Sequence, residues 1–313
     1  MIRVSHKAKQ YWIAAVKVLV LVGAFYYIWD SLANNDKLDW KQFLETFENW
    51  TWPSIFLVLL LSFANRFLEI LKWQNLVFSI RQISLPEATK QVLGALTAGL
   101  FTPNGIGEYG AKALYFEKPL ARKIVFLNLV CNGIQMFLSV LFGIFGLLYF
   151  NVHFDIITAQ TVLIIFGVVC GLFLVFFALK RFTIRGFSIE KIIHKINSLP
   201  KKIHRKNTLL AVMRYAVFSH QYYLLFVMFG VDLPYILLMS AITSVYFLAS
   251  SLPTFQFLDF AVKGSVAVYF FGLLGVNEWI TVFIATLMWF LNVVLPVSIG
   301  SYYVVKFKSP WSQ

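Results

Sequence analysis

Hydrophobic residues along this chain gather into long unbroken runs. Ile13–Trp29, Ile55–Leu71, Ile124–Tyr149, Thr161–Leu179, Leu209–Phe229 and Trp279–Val305 each approach or exceed the roughly 20 residues that carry a helix across a bilayer. None shows the ten-residue polar/apolar alternation of a membrane strand. Lipid offers backbone polar groups no water, so only helices and closed barrels span it, and the runs select helices. The pattern predicts an all-α integral membrane protein with about six transmembrane helices. Arg3, Lys7 and Lys9 precede the first run as in a signal peptide, and Ser31-Leu32-Ala33 resembles a cleavage site. The run is longer than the roughly 7–15 residues of a signal core, so a retained first span is expected.

Composition agrees with this class. Hydrophobic residues make up 59% of the 313 and charged residues 13%, against about 25% charged in a soluble domain. A net charge of +13 would suggest nucleic acid in a soluble chain, but here the basic residues lie between spans. No nucleic-acid partner is expected. Cys131 and Cys170 fall inside apolar runs without a CxxC or Cys/His cluster, so neither a disulfide framework, a metal site nor a cofactor is expected.

Charge between the runs sets orientation, because cytoplasmic loops carry excess Lys and Arg. The basic N-terminus, Lys72/Arg81/Lys90, Lys118/Arg122/Lys123, the stretch Lys180–Lys206 and the tail Lys306/Lys308 are assigned inside. The loop holding Asp30, Asp36, Asp39, Glu45 and Glu48, and the segments 150–158, 230–234 and 275–278, are assigned outside. Both termini are then cytoplasmic, in a bacterial inner membrane. This holds only if 90–117 and 235–274 each enter and leave on one side. Gln91–Thr102 precedes the turn signal Pro103-Asn104-Gly105 and rises only about 18 Å as helix, which predicts a re-entrant hairpin. Tyr235–Leu252 and Leu258–Leu274 are nearly long enough to cross, so length alone leaves the second segment open.

An internal repeat favours re-entry there too. Pro103 is followed by Glu108, Lys112 and Tyr115-Phe116; Pro253 is followed by Asp259, Lys263 and Tyr269-Phe270. Each motif follows a span containing an arginine, Arg66 or Arg214, and precedes a long span. The expected organisation is one transmembrane domain over 1–313. A first repeat covers 53–150 with hairpin 90–117, a basic amphipathic linker covers 180–208, and a second repeat covers 209–305 with hairpin 235–274. One further span at 159–180 inverts the second repeat, and inverted repeats place substrate sites near the midplane.

Glu108, Lys112, Asp259 and Lys263 are the unusual residues. Each charge at the bilayer centre costs roughly 2.5–3.5 kcal/mol, whereas an exposed i,i+4 ion pair returns only about 0.3–0.5 kcal/mol. They are therefore expected to face a polar cavity or an interface. One reading has the pairs locking the hairpin tips. The other has Lys112 and Lys263 holding a lipid phosphate, aided by helix N-termini after each proline, while Glu108 and Asp259 take a cationic headgroup or a proton. Asn128, Asn132 and Gln135 share one helix face, as interhelical glue or cavity lining. Arg66 and Glu69 are spaced to pair, Arg214 to snorkel from the cytoplasmic end of its span. His220 is either a proton site or a hydrogen-bond partner. Phe187–Leu199 reads as an amphipathic helix on the anionic leaflet. Gly105-x-Gly107-x-x-Gly110 matches a dinucleotide fingerprint but lacks a βαβ setting.

The run Thr102-Pro103-Asn104-Gly105-Ile106-Gly107-Glu108-Tyr109-Gly110 resembles the hairpin motif of the lysylphosphatidylglycerol synthase transmembrane-region family, also called flippase-like proteins. Pro253-Thr254 through Asp259, with Lys263-Gly264-Ser265, resembles its second motif, and the order of spans fits over essentially the whole chain. Family members often carry arginine at the positions of Lys112 and Lys263 and glutamate at that of Asp259; lysine keeps the charge but not the bidentate fork. The resemblance implies a translocase for phospholipids or related amphiphiles, with anionic or zwitterionic headgroups, and a site between the hairpins that includes Asn104, Glu108, Lys112, Asp259 and Lys263. Arg66, Arg214 and Asn132 complete the candidate site. The chain reaches Gln313 without the soluble domain that transfers aminoacyl groups in full-length synthases, so no enzymatic activity is expected. The alternatives are an intramembrane enzyme acting on a lipid-linked phosphate or sugar, and a non-transporting accessory subunit.

Overall fold

The computed structural model describes residue 45 and residues 50–100, 102, 105–158, 160–161, 189–252, 256–308 and 310. The expected span at 13–29, that at 161–179 beyond its first residue, Cys170, both turn prolines and Asn104 lie outside the described residues.

Among the described residues the chain is helical. Helix α1 (Trp52–Val77) leads through a short turn to α2 (Leu85–Gly99) and α3 (Gly107–Ala113), followed by the long α4 (Ala121–Phe154). Helix α5 (Ile189–Asn197) precedes α6 (Lys201–Met228), α7 (Tyr235–Ser251) and α8 (Asp259–Leu273). The last span, Glu278 to Val305, is α9 (Glu278–Trp289) and α10 (Leu295–Val305) joined by a π-helical turn at Phe290–Val294. Local chemistry sets several boundaries. Ser84 caps α2 by accepting from the Glu87 amide at 3.3 Å, with Pro86 in the first turn. Asn277 caps α9 in the same way at 2.9 Å. The π turn has a chemical cause: Pro296 brings no N–H to the Asn292 carbonyl four residues before it and crowds it sterically.

Three stretches are long and apolar enough to cross a membrane: Trp52–Val77, Lys118–Phe154 and Glu278–Val305. The sequence underestimated α1, whose helix continues past Leu71. Lys72, counted among the loop cations, lies inside it and is fully buried. The first hairpin likewise begins at Leu85 rather than at 90.

Helices α1 and α6 run antiparallel. Gln221 donates to the Val58 carbonyl, Arg214 to Asn65 and Asn75 to the Ile203 carbonyl, so partner numbers fall as α1 advances. The α1/α6 pair is one of a set that repeats. Helix α7 packs on α4 as α2 packs on α10, and α8 packs on α9 as α3 packs on α4. Helices α2 and α3 form a hairpin, as do α7 and α8. At roughly 1.5 Å per residue the arms of the first measure about 22 and 10 Å, and those of the second about 25 and 22 Å. The two tips approach each other: the side-chain oxygen of Gln256 lies 3.2 Å from where a Cβ on Gly105 would sit and 3.5 Å from one on Gly99. Gly105 has a φ of 68°, which the tip turn requires.

Charge separates along the bundle. The C-terminal end of α1, the feet of the first hairpin, the starts of α4 and α6, and the end of α10 share one end, with Arg81, Lys90, Arg122, Lys123, Lys201, Lys202 and Lys306. The opposite end holds Asp155, Asp232 and Glu278 and, among the described residues, no Lys or Arg. Each end has its own apolar core, one built around Trp73, Leu76, Phe116 and Leu127, the other around Phe150, Phe226, Leu238 and Phe271. Helix α5 touches the first core only at its edge, where Lys195 Nζ lies 4.4 Å from the Phe126 ring, and Ile193 stays exposed.

Close helix contact depends on small residues. A Cβ at Gly146 of α4 would lie 2.0 Å from Thr243 Oγ1 and 2.8 Å from the Ser240 carbonyl oxygen of α7, whereas one at Gly133 meets nothing within 4 Å. Gly146→Val is expected to destabilise the protein by about 1–3 kcal/mol and Gly133→Ala to leave it unchanged or slightly firmer. Thermal unfolding of the two variants in detergent checks this; equal melting temperatures would refute the packing assignment.

Candidate functional site

The midsection between the two apolar cores is polar. Helix α1 brings Ser62, Asn65, Arg66, Glu69 and Lys72 along its inward side at spacings of three or four residues, which places them on one face. Helix α4 presents Asn128, Cys131, Asn132 and Gln135 at the same spacing. Helix α3 adds Glu108, Tyr109 and Lys112, α6 adds Arg214 and Gln221, and the π turn adds Asn292.

These groups form one connected network. Glu69 pairs with Arg214 at 2.5 Å and with Lys72 at 3.6 Å. The Arg66–Glu69 pairing expected from spacing is replaced: the Arg66 guanidinium donates to the Asn292 carbonyl, the oxygen to which Pro296, four residues on, brings no N–H. Ser62 donates to the adjacent Leu291 carbonyl at 2.9 Å. Asn292 Nδ2 in turn donates to Gln221 at 3.1 Å. Arg214 does not snorkel. It sits midway along α6, turned inward, and donates to Asn65 Oδ1 at 2.9 Å and to Gln135 Oε1 at 3.4 Å. Lys72 also reaches Gln135, at 3.2 Å.

The hairpin charges are placed differently in the two halves. Lys112 is fully buried rather than open to a cavity. Its ammonium donates to Glu108 at 2.7 Å and to Asn128 at 2.7 Å, and lies 4.5 Å from the Trp73 ring centre. Asn132 donates to the Tyr109 hydroxyl at 3.4 Å, tying α4 to the same hairpin. Asp259 and Lys263 also pair one helical turn apart, but their side chains keep 19% and 32% exposure, and Lys263 faces the Tyr246 ring at 5.6 Å. The contrast lies in the lysines: Lys112 is enclosed while Lys263 lies at an open margin, and the two carboxylates are both partly exposed. His220 lies outside the network: its Nδ1–H donates to the Ala216 carbonyl, and the Tyr235 hydroxyl reaches its Nε2, both at 2.8 Å.

The electrostatic balance is uneven. The network holds four cations (Arg66, Lys72, Lys112, Arg214) and two carboxylates (Glu69, Glu108), an excess of two positive charges. Arg66 Nε, Asn128 Nδ2 and Gln135 Nε2 are buried donors without a hydrogen-bond partner. Six charges at this depth would cost on the order of 15–20 kcal/mol in bare lipid. Three ion pairs and the oxygens of Asn65, Asn128, Gln135 and Asn292 offset that by standing in for water.

Of the residues singled out from sequence, Arg66, Arg214, Glu108, Lys112 and Asn132 meet in or beside this network, while Asp259 and Lys263 lie apart on α8. Sequence reasoning missed Asn65, Gln221 and Asn292 and misplaced Lys72. Each is a lone polar residue inside an apolar run, which is itself the usable signal.

Residues 13–300 match the family described as the lysylphosphatidylglycerol synthase TM region. The chain belongs to that family and is a multi-pass integral membrane protein. Comparison with curated proteins gives no match.

Removing one partner of a buried ion pair leaves the other charge uncompensated. Glu69→Gln is expected to destabilise by about 3–5 kcal/mol, and Glu69→Gln/Arg214→Gln by less than the two single changes together. Denaturation in mixed micelles measures the cycle. Additivity within about 0.5 kcal/mol would mean that the two groups do not act as a pair.

Proposed function

We propose that this member of the lysylphosphatidylglycerol synthase TM region family is a lipid translocase, moving a phospholipid or related amphiphile between leaflets through the polar midsection. The observation that carries the reading is the buried excess of two positive charges with three unpartnered donors, beside a point where two helical hairpins meet. A lipid phosphate supplies negative charge and acceptor oxygens together, and no neutral ligand supplies the first. The zwitterionic or anionic headgroup enters from the margin held by Asp259 and Lys263, the more open of the two pairs, and is passed to Arg66, Lys112 and Arg214. Asn104, which lies outside the described residues, is read from its place in the Pro103–Gly110 motif as part of the same path. Glu108 balances Lys112 while the site is empty.

In this reading both hairpins are re-entrant. Arms of about 10–25 Å fall short of the roughly 30 Å hydrocarbon core, and the antiparallel crossing of α1 and α6 supports reading the halves as an inverted repeat. The basic end of the bundle faces the cytoplasm of a bacterial inner membrane, together with both termini. Transport, rather than a bond-making step, is the activity.

The test is reconstitution in liposomes with fluorescent phosphatidylglycerol and phosphatidylcholine, following access of a membrane-impermeant quencher. The wild type is expected to move lipid well above protein-free vesicles. Glu108→Gln/Lys112→Gln, which removes the pair without stranding either charge, is expected to slow movement at least tenfold while melting close to the wild type. A folded double variant that moves lipid at the wild-type rate removes the first hairpin from the path. A wild type inactive with both lipids argues against the translocase itself.

A further inference from the structure

A cavity of about 320 Å³ opens at the basic end, away from the polar midsection. Its walls come from three places in the chain: Lys90 on the second turn of α2, Tyr115 just after α3, and the segment from Tyr302 and Tyr303 through Lys306 to Lys308. Both feet of the first hairpin and the end of the last span therefore meet around it. Every ionisable acid or base in the lining other than tyrosine is a lysine, and none is a carboxylate. The nearby Glu87, one turn before Lys90, is engaged by Arg81.

The geometry gives these groups a common target. Lys306 Nζ donates to the Tyr302 hydroxyl at 2.6 Å and lies 4.3 Å from the centre of that ring, which fixes the ammonium while leaving it further protons to donate. The Tyr115 ring packs on Phe307 at 4.6 Å, so the tail is held against the hairpin foot. Lysines beside tyrosines at the end of a membrane-spanning helix match the headgroup level, where aromatic rings and juxtamembrane cations meet anionic lipid. A volume near 300 Å³ lies at the small end of ligand sites and has room for a headgroup-sized anion.

We infer that this cavity is a binding site for an anionic phosphate group, with Lys90, Lys306 and Lys308 as its cationic ligands and the tyrosine hydroxyls as donors. The source is a phosphate-bearing lipid headgroup or a soluble phosphate. Because its ligands sit on both sides of the contact, an occupied site clasps the first hairpin to α10. This site is independent of the transport path: it shares no residue with the midsection network.

Native mass spectrometry of the detergent-solubilised protein, titrated with phosphatidylglycerol, tests the lipid arm; calorimetry with inorganic phosphate tests the soluble arm. Lys90→Gln/Lys306→Gln/Lys308→Gln is expected to weaken binding at least tenfold. Lys201→Gln/Lys202→Gln, which removes charge from the same end but outside the cavity, is expected to change it less than twofold. Loss confined to phosphatidylglycerol identifies a lipid, and loss of inorganic phosphate binding identifies a soluble ligand. Equal binding by the wild type and the cavity variant in both arms overturns the site, as does an equal loss in the control variant. All five lysines are exposed, so melting temperatures of both variants should stay near the wild type; if the triple variant fails to fold, Lys306→Gln alone should still weaken binding several-fold.

Discussion

The fold depends on holding four cations, two fully buried and two partly so, among amide oxygens from other helices. Arg66 takes the Asn292 carbonyl, Arg214 takes Asn65 and Gln135, Lys72 takes Gln135 and Lys112 takes Asn128. None of these contacts lies within one helix. In a hydrocarbon environment the cost of an unmet cation is several kcal/mol, far above the cost of a missed apolar contact. Any rearrangement that separates α1 from α4, α6 or the π turn therefore exposes charge, and the mutual positions of these helices are set more by the network than by their apolar surfaces.

The π turn shows how one residue's chemistry reaches across the bundle. Pro296 cannot satisfy the Asn292 carbonyl, and the helix widens there instead of breaking. The Asn292 oxygen accepts from Arg66 and the neighbouring Leu291 carbonyl from Ser62. A local defect in the last span thus secures the first described one. The same economy appears in α1, where Glu69 answers both Arg214 and Lys72.

The two halves use similar parts to different ends. Arg66 and Arg214 occupy corresponding places and both end on an amide oxygen. The acid–lysine pairs also correspond, yet Lys112 is enclosed and Lys263 is partly open. The return arms explain the contrast. Helix α3 stops after seven residues and is covered by α4 and Trp73, while α8 continues for fifteen and leaves its first turn at the margin.

Much of this was legible in the sequence. Run length and composition determined a helical membrane protein, and the alignment of Pro103-Glu108-Lys112 with Pro253-Asp259-Lys263 determined two related hairpins, because hydropathy and local turn chemistry act on neighbouring residues. The polar face of α4 was visible at Asn128, Asn132 and Gln135 for the same reason. What the sequence left undecided was partnership. Spacing offered Glu69 to Arg66, while the tertiary structure gives it to Arg214, almost 150 positions away; spacing put Lys72 in a loop, while Gln135 and Glu69 hold it inside. A buried charge takes the best desolvated partner in space rather than the nearest in sequence, since Coulombic energy depends on distance and surroundings and not on chain order.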